Sequence, residues 1–157
     1  MNNLTKEMPF RFVQETVTEI FDSFNLIKLD NFDFLEGEVK FRGKYLVSMV
    51  GFVGDYTGLL SIYCSCPMAM HITERMLNIQ VDTVTKEVRD ALGELTNIIV
   101  GRFKAKLSVY HTPFQQSIPS VIDGDNFSAN GYDLVQNRLL ACGSAEGTIY
   151  VQLLLKS

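Results

Sequence analysis

The chain reads as a mixed α/β protein of the α+β type, a mostly antiparallel sheet with helices packed on one face. Three observations predict this. The elements come in the order helix, hairpin, helix, long helix, strands. Two apolar, β-rich runs, Tyr45–Val53 and Gly58–Cys66, are joined by so short a link that the strands must run antiparallel. The stretch from Thr85 to Leu107 carries its apolar residues at helical spacing on one side only, which is how a helix lying on a sheet is patterned.

Taken in order, the first helix spans roughly Phe10 to Phe24, after Pro9. Phe12 or Val13, Thr16 or Val17, Ile20, Phe21 and Phe24 recur at helical spacing, with the acids Glu15, Glu19 and Asp22 between them. Leu35–Phe41 reads as a short strand weakened by Gly37. The hairpin follows, with turn chemistry at Asp55-Tyr56-Thr57-Gly58. Its glycines at 51, 54 and 58 do not make a phosphate-binding loop, because the lysine is missing and a strand follows instead of a helix. Pro67 opens a second helix, Pro67–Leu77, where proline is tolerated at the first turn. Met68, Ile72, Met76 and Leu77 form its core face. Thr83 or Thr85 caps the long helix, without a clean capping box. Beyond it come a short strand near Ser108–His111, a loop or strand around Ile118–Ile122, and a turn at Asp123-Gly124-Asp125-Asn126. Leu134–Ala141 and Thr148–Leu155 are the last strands. No repeat or linker interrupts the chain, so residues 1–157 read as one domain.

Composition narrows the function. The chain is 46% hydrophobic and 20% charged, enough apolar material for a core. Its net charge of −4, with no basic cluster, argues against nucleic acid and against an anionic membrane surface. No apolar run approaches the roughly 18 residues that span a bilayer. The start, MNNLTKEMPF, lacks the apolar core of a signal peptide. These features predict a cytoplasmic protein. Three cysteines without a framework fit a reducing compartment. Cys64 and Cys66 alternate on the second hairpin strand; only His71 and His111 could join them around a metal, and the spacing is not that of a zinc site. The reading is structural thiols and no metal.

The long helix carries the one stripe that stability does not explain. At about 100° per residue, Val88, Leu92, Leu95, Ile99 and Phe103 share the side to be buried. Asp90, Glu94, Asn97, Gly101 and Lys104 share the other. Glycine in a helix interior costs roughly 0.8–1 kcal/mol against alanine, and asparagine is also a weak helix former. Most polar stripes are only solvated faces, so the spacing must carry further information to count.

It does. Asp90, three residues, Glu94, two residues, Asn97, then 21 residues and Pro119: this spacing resembles the signature of the CheC/CheX/FliY family of chemotaxis phosphatases. GELTNIIVGRFKAKL resembles the family's motif helix, IPSVIDG (118–124) the segment after it, and GTIYVQLLL (147–155) its closing strand. The hairpin glycines fit as well. The specific part covers about forty residues. Chains with two motif copies are CheC-like. Here the only other candidate is the first helix, where Glu19 at the acid position puts Asp22 in place of the asparagine. The chain is therefore similar to the single-motif, CheX-like members.

The resemblance implies hydrolysis of the aspartyl phosphate on a CheY-like receiver domain. It implies Asn97 orienting the attacking water and Glu94 docking to the receiver's lysine. Asp90 either contacts the receiver or supports the helix, Gly101 admits a close approach of the partner, and Pro119 shapes the loop beside the helix. No cofactor of its own is implied, since the phosphorylated receiver supplies Mg2+. A homodimer is implied by resemblance alone. The alternatives are a non-catalytic receiver-binding or flagellar-switch module, a small-molecule enzyme, for which no nucleophile–base pair or nucleophile elbow is legible, and a structural domain with a chance motif.

Overall fold

A computed structural model describes residues 5–110, 113–130 and 136–156. Its centre is the hairpin of β3 (Lys44–Gly54) and β4 (Thr57–Ser65), paired antiparallel from Tyr45↔Ser65 to Phe52↔Gly58. β4 continues to β9 (Gly147–Lys156), β9 to β8 (Gln136–Ser144) and β8 to β1 (Asn31–Leu35), every pair antiparallel. On the far side of β3 lie two short strands end to end, β5 (Phe114–Gln116) and β6 (Ser120–Asp125). Gly58 shows why the hairpin needs its glycines. A Cβ there would collide with the Leu154 carbonyl of β9 and lie 2.8 Å from the Phe52 ring.

The two faces of the sheet differ. On β3, Leu46, Val50 and Phe52 join one large apolar cluster with the three helices. Val47 and Met49 point the other way, into a smaller cluster with Phe41, Tyr63, Ala129 and Leu139. All three helices, α1 (Met8–Ser23), α2 (Cys66–Leu77) and α3 (Lys86–Ser108), contribute to the first cluster. The second is roofed by Phe41, whose ring stacks on Tyr63 at 4.7 Å, and flanked by a two-stranded sheet of β2 (Val39–Lys40) and β7 (Ser128–Ala129).

Local chemistry sets the helix ends. Pro9 lies inside the first turn of α1, not before it. The Ser65 hydroxyl accepts from Met68 N–H at the start of α2, and Asn78 stops it in the left-handed region at φ 54°. Cys66 therefore begins a helix and does not alternate with Cys64 on a strand. Thr85 is the extended cap residue of α3, but its side chain does not cap. Glu87 serves the helix start instead: its own backbone N–H and the Thr85 side chain bond its carboxylate and pull its pKa down. An acid suits this positive end of the helix dipole.

α3 buries Val88, Leu92, Leu95, Ile99 and Phe103 completely, as the periodicity predicts, and Leu107 as well. Burying each such side chain stabilises by about 1.5–3 kcal/mol. Any one of them outweighs the weak helix formers on the outer side.

Phe24 and Leu77, expected on the core faces of the first two helices, are exposed. Three expectations about strands and turns also need correction. No strand runs from Ser108: α3 continues through Ser108, Tyr110 N–H closes a turn on the Leu107 carbonyl, and His111 lies outside the described residues. The proposed turn at 123–126 begins too early, since Asp123, Gly124 and Asp125 pair with Leu46, Tyr45 and Lys44 as the end of β6; Asn126, at φ 57°, makes the bend. The short strand at Leu35–Phe41 is two pieces, β1 ending at Leu35 and β2 starting at Val39, with Gly37 between them at φ 77°. Leu134 and Val135, the expected start of the strand now labelled β8, lie outside the described residues.

Candidate functional site

The outer side of α3 is not uniformly open, because the edge formed by β5 and β6 runs back along it. Arg89 pairs with Asp123 at 3.2 Å. One turn on, a Cβ on Gly93 would lie 3.4 Å from both Pro119 and Val121. The next turn brings Asn97, whose Oδ1 accepts from Gln116 Nε2 at 2.7 Å. Lys104 then lies over the Phe114 ring, 5.6 Å from its centroid. Helix and edge thus run antiparallel, 89 against 123 and 104 against 114. The 21 residues between Asn97 and Pro119 are the length needed to finish α3, turn, and return beside it.

The edge carries a bulge at the level of the motif. Gln116 pairs with Phe52 and Ser120 with Met49, so three residues, 117–119, oppose only two on β3. One extra residue must leave the ladder. Ser117 holds the bulge in place: its N–H donates to the Gly51 carbonyl at 2.8 Å, and its hydroxyl accepts from Gly51 N–H at 3.1 Å. Pro119 rests on α3 at Gly93. Between them Ile118 projects outward, 84% exposed.

Asn97 is half-buried at the border of this edge, while Asp90, Glu94 and Gly101 are exposed. Glu94 lies about 60° further round the helix, away from the strands. Among the described residues Glu94 meets no cation, whereas Asp90 pairs weakly with Lys86, 3.6 Å away and one turn back. A Cβ on Gly101 would touch nothing within 4 Å. The fold therefore does not require glycine there. The five motif residues are brought to one place: Asp90, Glu94, Asn97 and Gly101 along one helix side, with Pro119 against its flank.

Below the motif the helix is fixed by a buried polar link. The Thr96 and Ser48 hydroxyls lie 2.6 Å apart, and Thr96 donates to the Leu92 carbonyl at 2.8 Å. Both residues are fully buried. This joins α3 to β3 in the turn that carries Glu94 and Asn97 and sets the rotation of the helix about its axis.

Other chemistry is sparse. Cys64 and Cys142 are buried, and burial drives both thiols up, Cys142 to about 12, so neither is a ready thiolate. His71 pairs with Glu74 at 3.6 Å on α2. Among the described residues no three of histidine, cysteine, aspartate and glutamate could hold a metal ion, and no helix is long and apolar enough to cross a membrane. Grooves of about 450 and 420 Å³ lie beside the end of α1 and beneath Thr83–Val84. Neither is lined by Glu94 or Asn97. The motif is displayed on an exposed helix side and not inside either groove, which suits a large partner more than an enclosed small ligand.

A family model described as chemotaxis phosphatase CheX matches residues 46–137, more than half of the chain. The chain belongs to the CheX family. The matched span starts on β3 and takes in α3, the bulge and the edge strands. A search of the curated proteins finds no match. Solved structures carry the fold further. A CheC-like superfamily protein from Shewanella sp. PV-4 superposes with a TM-score of 0.83 at 23% identity, covering 98% of this chain and 100% of that one. The chemotaxis protein CheX from Vibrio vulnificus gives 0.83 at 20% identity, over 95% and 99%. The CheX of a CheX–CheY–BeF3–Mg2+ complex from Borrelia burgdorferi gives 0.72 at 15% identity, over 94% and 97%. The mixed α/β fold with a mostly antiparallel sheet is thus that of the CheX-like structures.

Sequence reasoning missed Gln116, Ser117, Ile118, Gly93 and the Ser48–Thr96 pair. Gly93 left a signal, a glycine in a helix interior on the flank that Pro119 must approach. Gln116 left none, because its place depends on the bulge register.

Proposed function

We propose that this CheX-family protein hydrolyses the aspartyl phosphate of a CheY-like receiver domain. Water adds to phosphorus, the bond to the aspartyl oxygen breaks, and the products are the free carboxylate and inorganic phosphate. The observation that carries the reading is a half-exposed carboxamide, Asn97, one turn from an exposed glutamate that has no cation partner among the described residues, on the outer side of α3. A complex of one such relative with CheY, BeF3 and Mg2+ supports the choice of partner.

The residues suit that task. Phosphoryl transfer depends on an in-line nucleophile and on charge stabilisation. Magnesium and a lysine belong to the receiver, so this chain has to bring geometry. The Asn97 carbonyl accepts from water and its amino group donates, while the neutral amide does not repel phosphoryl oxygens. Such positioning contributes several kcal/mol. Glu94, which meets no cation among the described residues, pairs with the receiver's lysine and sets the docking register. Gly101 leaves room for the partner's backbone, and Asp90 and the Pro119 bulge border the contact. The same reading takes residues 1–157 as one domain, two copies of which pair, working in the cytoplasm.

The other reading is a receiver-binding module that leaves the phosphate alone. Its support is that Gln116 already occupies part of the Asn97 oxygen. A carbonyl oxygen has two lone pairs, however, so one remains for water. The deciding experiment offers the protein a panel of 32P-labelled receivers from the same genome. Accelerated loss of label from at least one of them supports hydrolysis. Binding without acceleration by any receiver overturns it in favour of the module.

A further inference from the structure

We infer that Gln116 is a positioning residue for the Asn97 amide: its Nε2–H, 2.7 Å from Asn97 Oδ1, fixes which corner of the carboxamide faces the partner. The inference rests on the phosphatase reading and goes beyond it, because the family's spacing involves α3 and Pro119, not a residue of β5.

The final torsion of an asparagine is broad and close to two-fold, so rotation by half a turn exchanges its oxygen and its nitrogen at little cost. The water-orienting task does not tolerate that exchange, since one position must accept and the other must donate. Asn97 stands on a helix with an open side, and among the described residues no side chain on that side bonds its amide. Gln116 restrains it from the flank: once the two amides are paired, Asn97 cannot turn over without breaking the bond or turning Gln116 with it. As a donor to Oδ1 it turns the oxygen toward β5 and the amino group away from it. The second lone pair of Oδ1 stays available for water. Donation to the oxygen also polarises the amide and strengthens the amino group as a donor.

The fold places Gln116 for this purpose with some care. It is the last residue of β5, paired with Phe52, and the ladder breaks immediately after it. Ser117 ties the break to both polar groups of Gly51, and Pro119 rests on Gly93. With the same residues in a regular, unbulged strand, Gln116 and Pro119 would stand too far apart for both to meet α3 at Asn97 and Gly93. Four helix residues rise about 6 Å, while three extended residues span about 10 Å. The bulge absorbs the difference and lets the edge touch α3 at Gly93 and at Asn97 together.

The test uses the full chain with Gln116→Ala and Gln116→Met. Methionine keeps roughly the length and volume of glutamine, removes the donor and adds no charge that could repel the phosphoryl group. If the residue only filled space, Q116M would match wild type. Instead both variants should lose about five- to tenfold in turnover of a phosphorylated receiver, the worth of one hydrogen bond, with receiver affinity within about twofold. Independently of any receiver, 15N relaxation of the Asn97 side-chain amide should show greater mobility in Q116A than in wild type. An amide equally ordered in both proteins overturns the inference. So does unchanged turnover, or a faster Q116A, which would mean that the glutamine sits where water belongs. Wild-type protein that accelerates no receiver at all overturns the phosphatase reading itself, and it is recognised because the relaxation difference then persists without activity.

Discussion

α1 and α3 carry the same spacing of acidic residues, and the molecule treats the two sets in opposite ways. Glu15, Glu19 and Asp22 on α1 stand as Asp90, Glu94 and Asn97 do on α3. The α1 pair is consumed internally. Lys106 lies 2.8 Å from Glu19 and 3.7 Å from Glu15, and Arg102 reaches Glu19 at 3.9 Å. Lys106 stands in the last turn of α3, where the helix dipole also favours a cation. Glu94 receives no such partner among the described residues. Spacing alone thus creates no site. An acid that the fold has already neutralised has nothing to offer a partner's lysine. The third position completes the contrast, since α1 has a carboxylate there and α3 a carboxamide.

The largest expected effect tests that third position. Asn97→Ala should lower stimulated dephosphorylation by at least about 100-fold, the scale of a lost positioning interaction, with receiver affinity changed by no more than a few-fold. Asn97→Asp makes α3 resemble α1. It should be equally inactive, because the carboxylate cannot donate and repels the phosphoryl group. The reverse change, Asp22→Asn, should add no activity, because Glu19 remains paired with Lys106 and Arg102. Loss of label from the receiver, with binding measured separately, checks all three. Normal activity in Asn97→Ala would end the water assignment.

Glu94 comes next. Glu94→Ala should weaken receiver binding by about tenfold at low ionic strength and reduce turnover with it. An exposed charge pair is screened over about 10 Å at 0.1 M salt, so the gap between variant and wild type should narrow as salt rises. A gap that ignores salt would separate Glu94 from any lysine. The corresponding change on α1, Lys106→Ala, should leave activity untouched and cost less than about 1 kcal/mol of stability, as for other exposed ion pairs. Denaturant titration beside the phosphatase assay measures both.

What the sequence made legible follows the range of the interactions. The buried side of α3 is a local property of a 3.6-residue period, and each of its five predicted residues is buried. The β3–β4 hairpin is also local, with apolar runs and a short turn. Ser108–His111 misled because Val109 and Tyr110 favour strands, while Leu107 still packs in the core and holds the helix to Ser108. The Asp-Gly-Asp-Asn stretch looks like a turn because its strand partner, β3, lies some eighty residues earlier. Gln116 is the extreme case. Its contact with Asn97 follows from a one-residue register difference between two strands on β3, which no neighbouring residue announces.

The smallest effect belongs to Gly101 and separates fold from function on α3 itself. In α1 the equivalent position falls on Leu26, beyond the helix and buried in the core, so α1 gives up this place to packing. On α3 the place is exposed, and a Cβ would meet nothing. Gly101→Ala should therefore stabilise the protein by roughly 0.8–1 kcal/mol, a rise of about 2–4 °C in Tm for a chain of this size. If the glycine serves a close approach of the receiver, the same variant should bind the receiver a few-fold more weakly. Higher Tm with weaker binding assigns Gly101 to the interface. Higher Tm with unchanged binding and turnover removes it, and leaves the contact surface to Glu94, Asn97 and the Pro119 bulge.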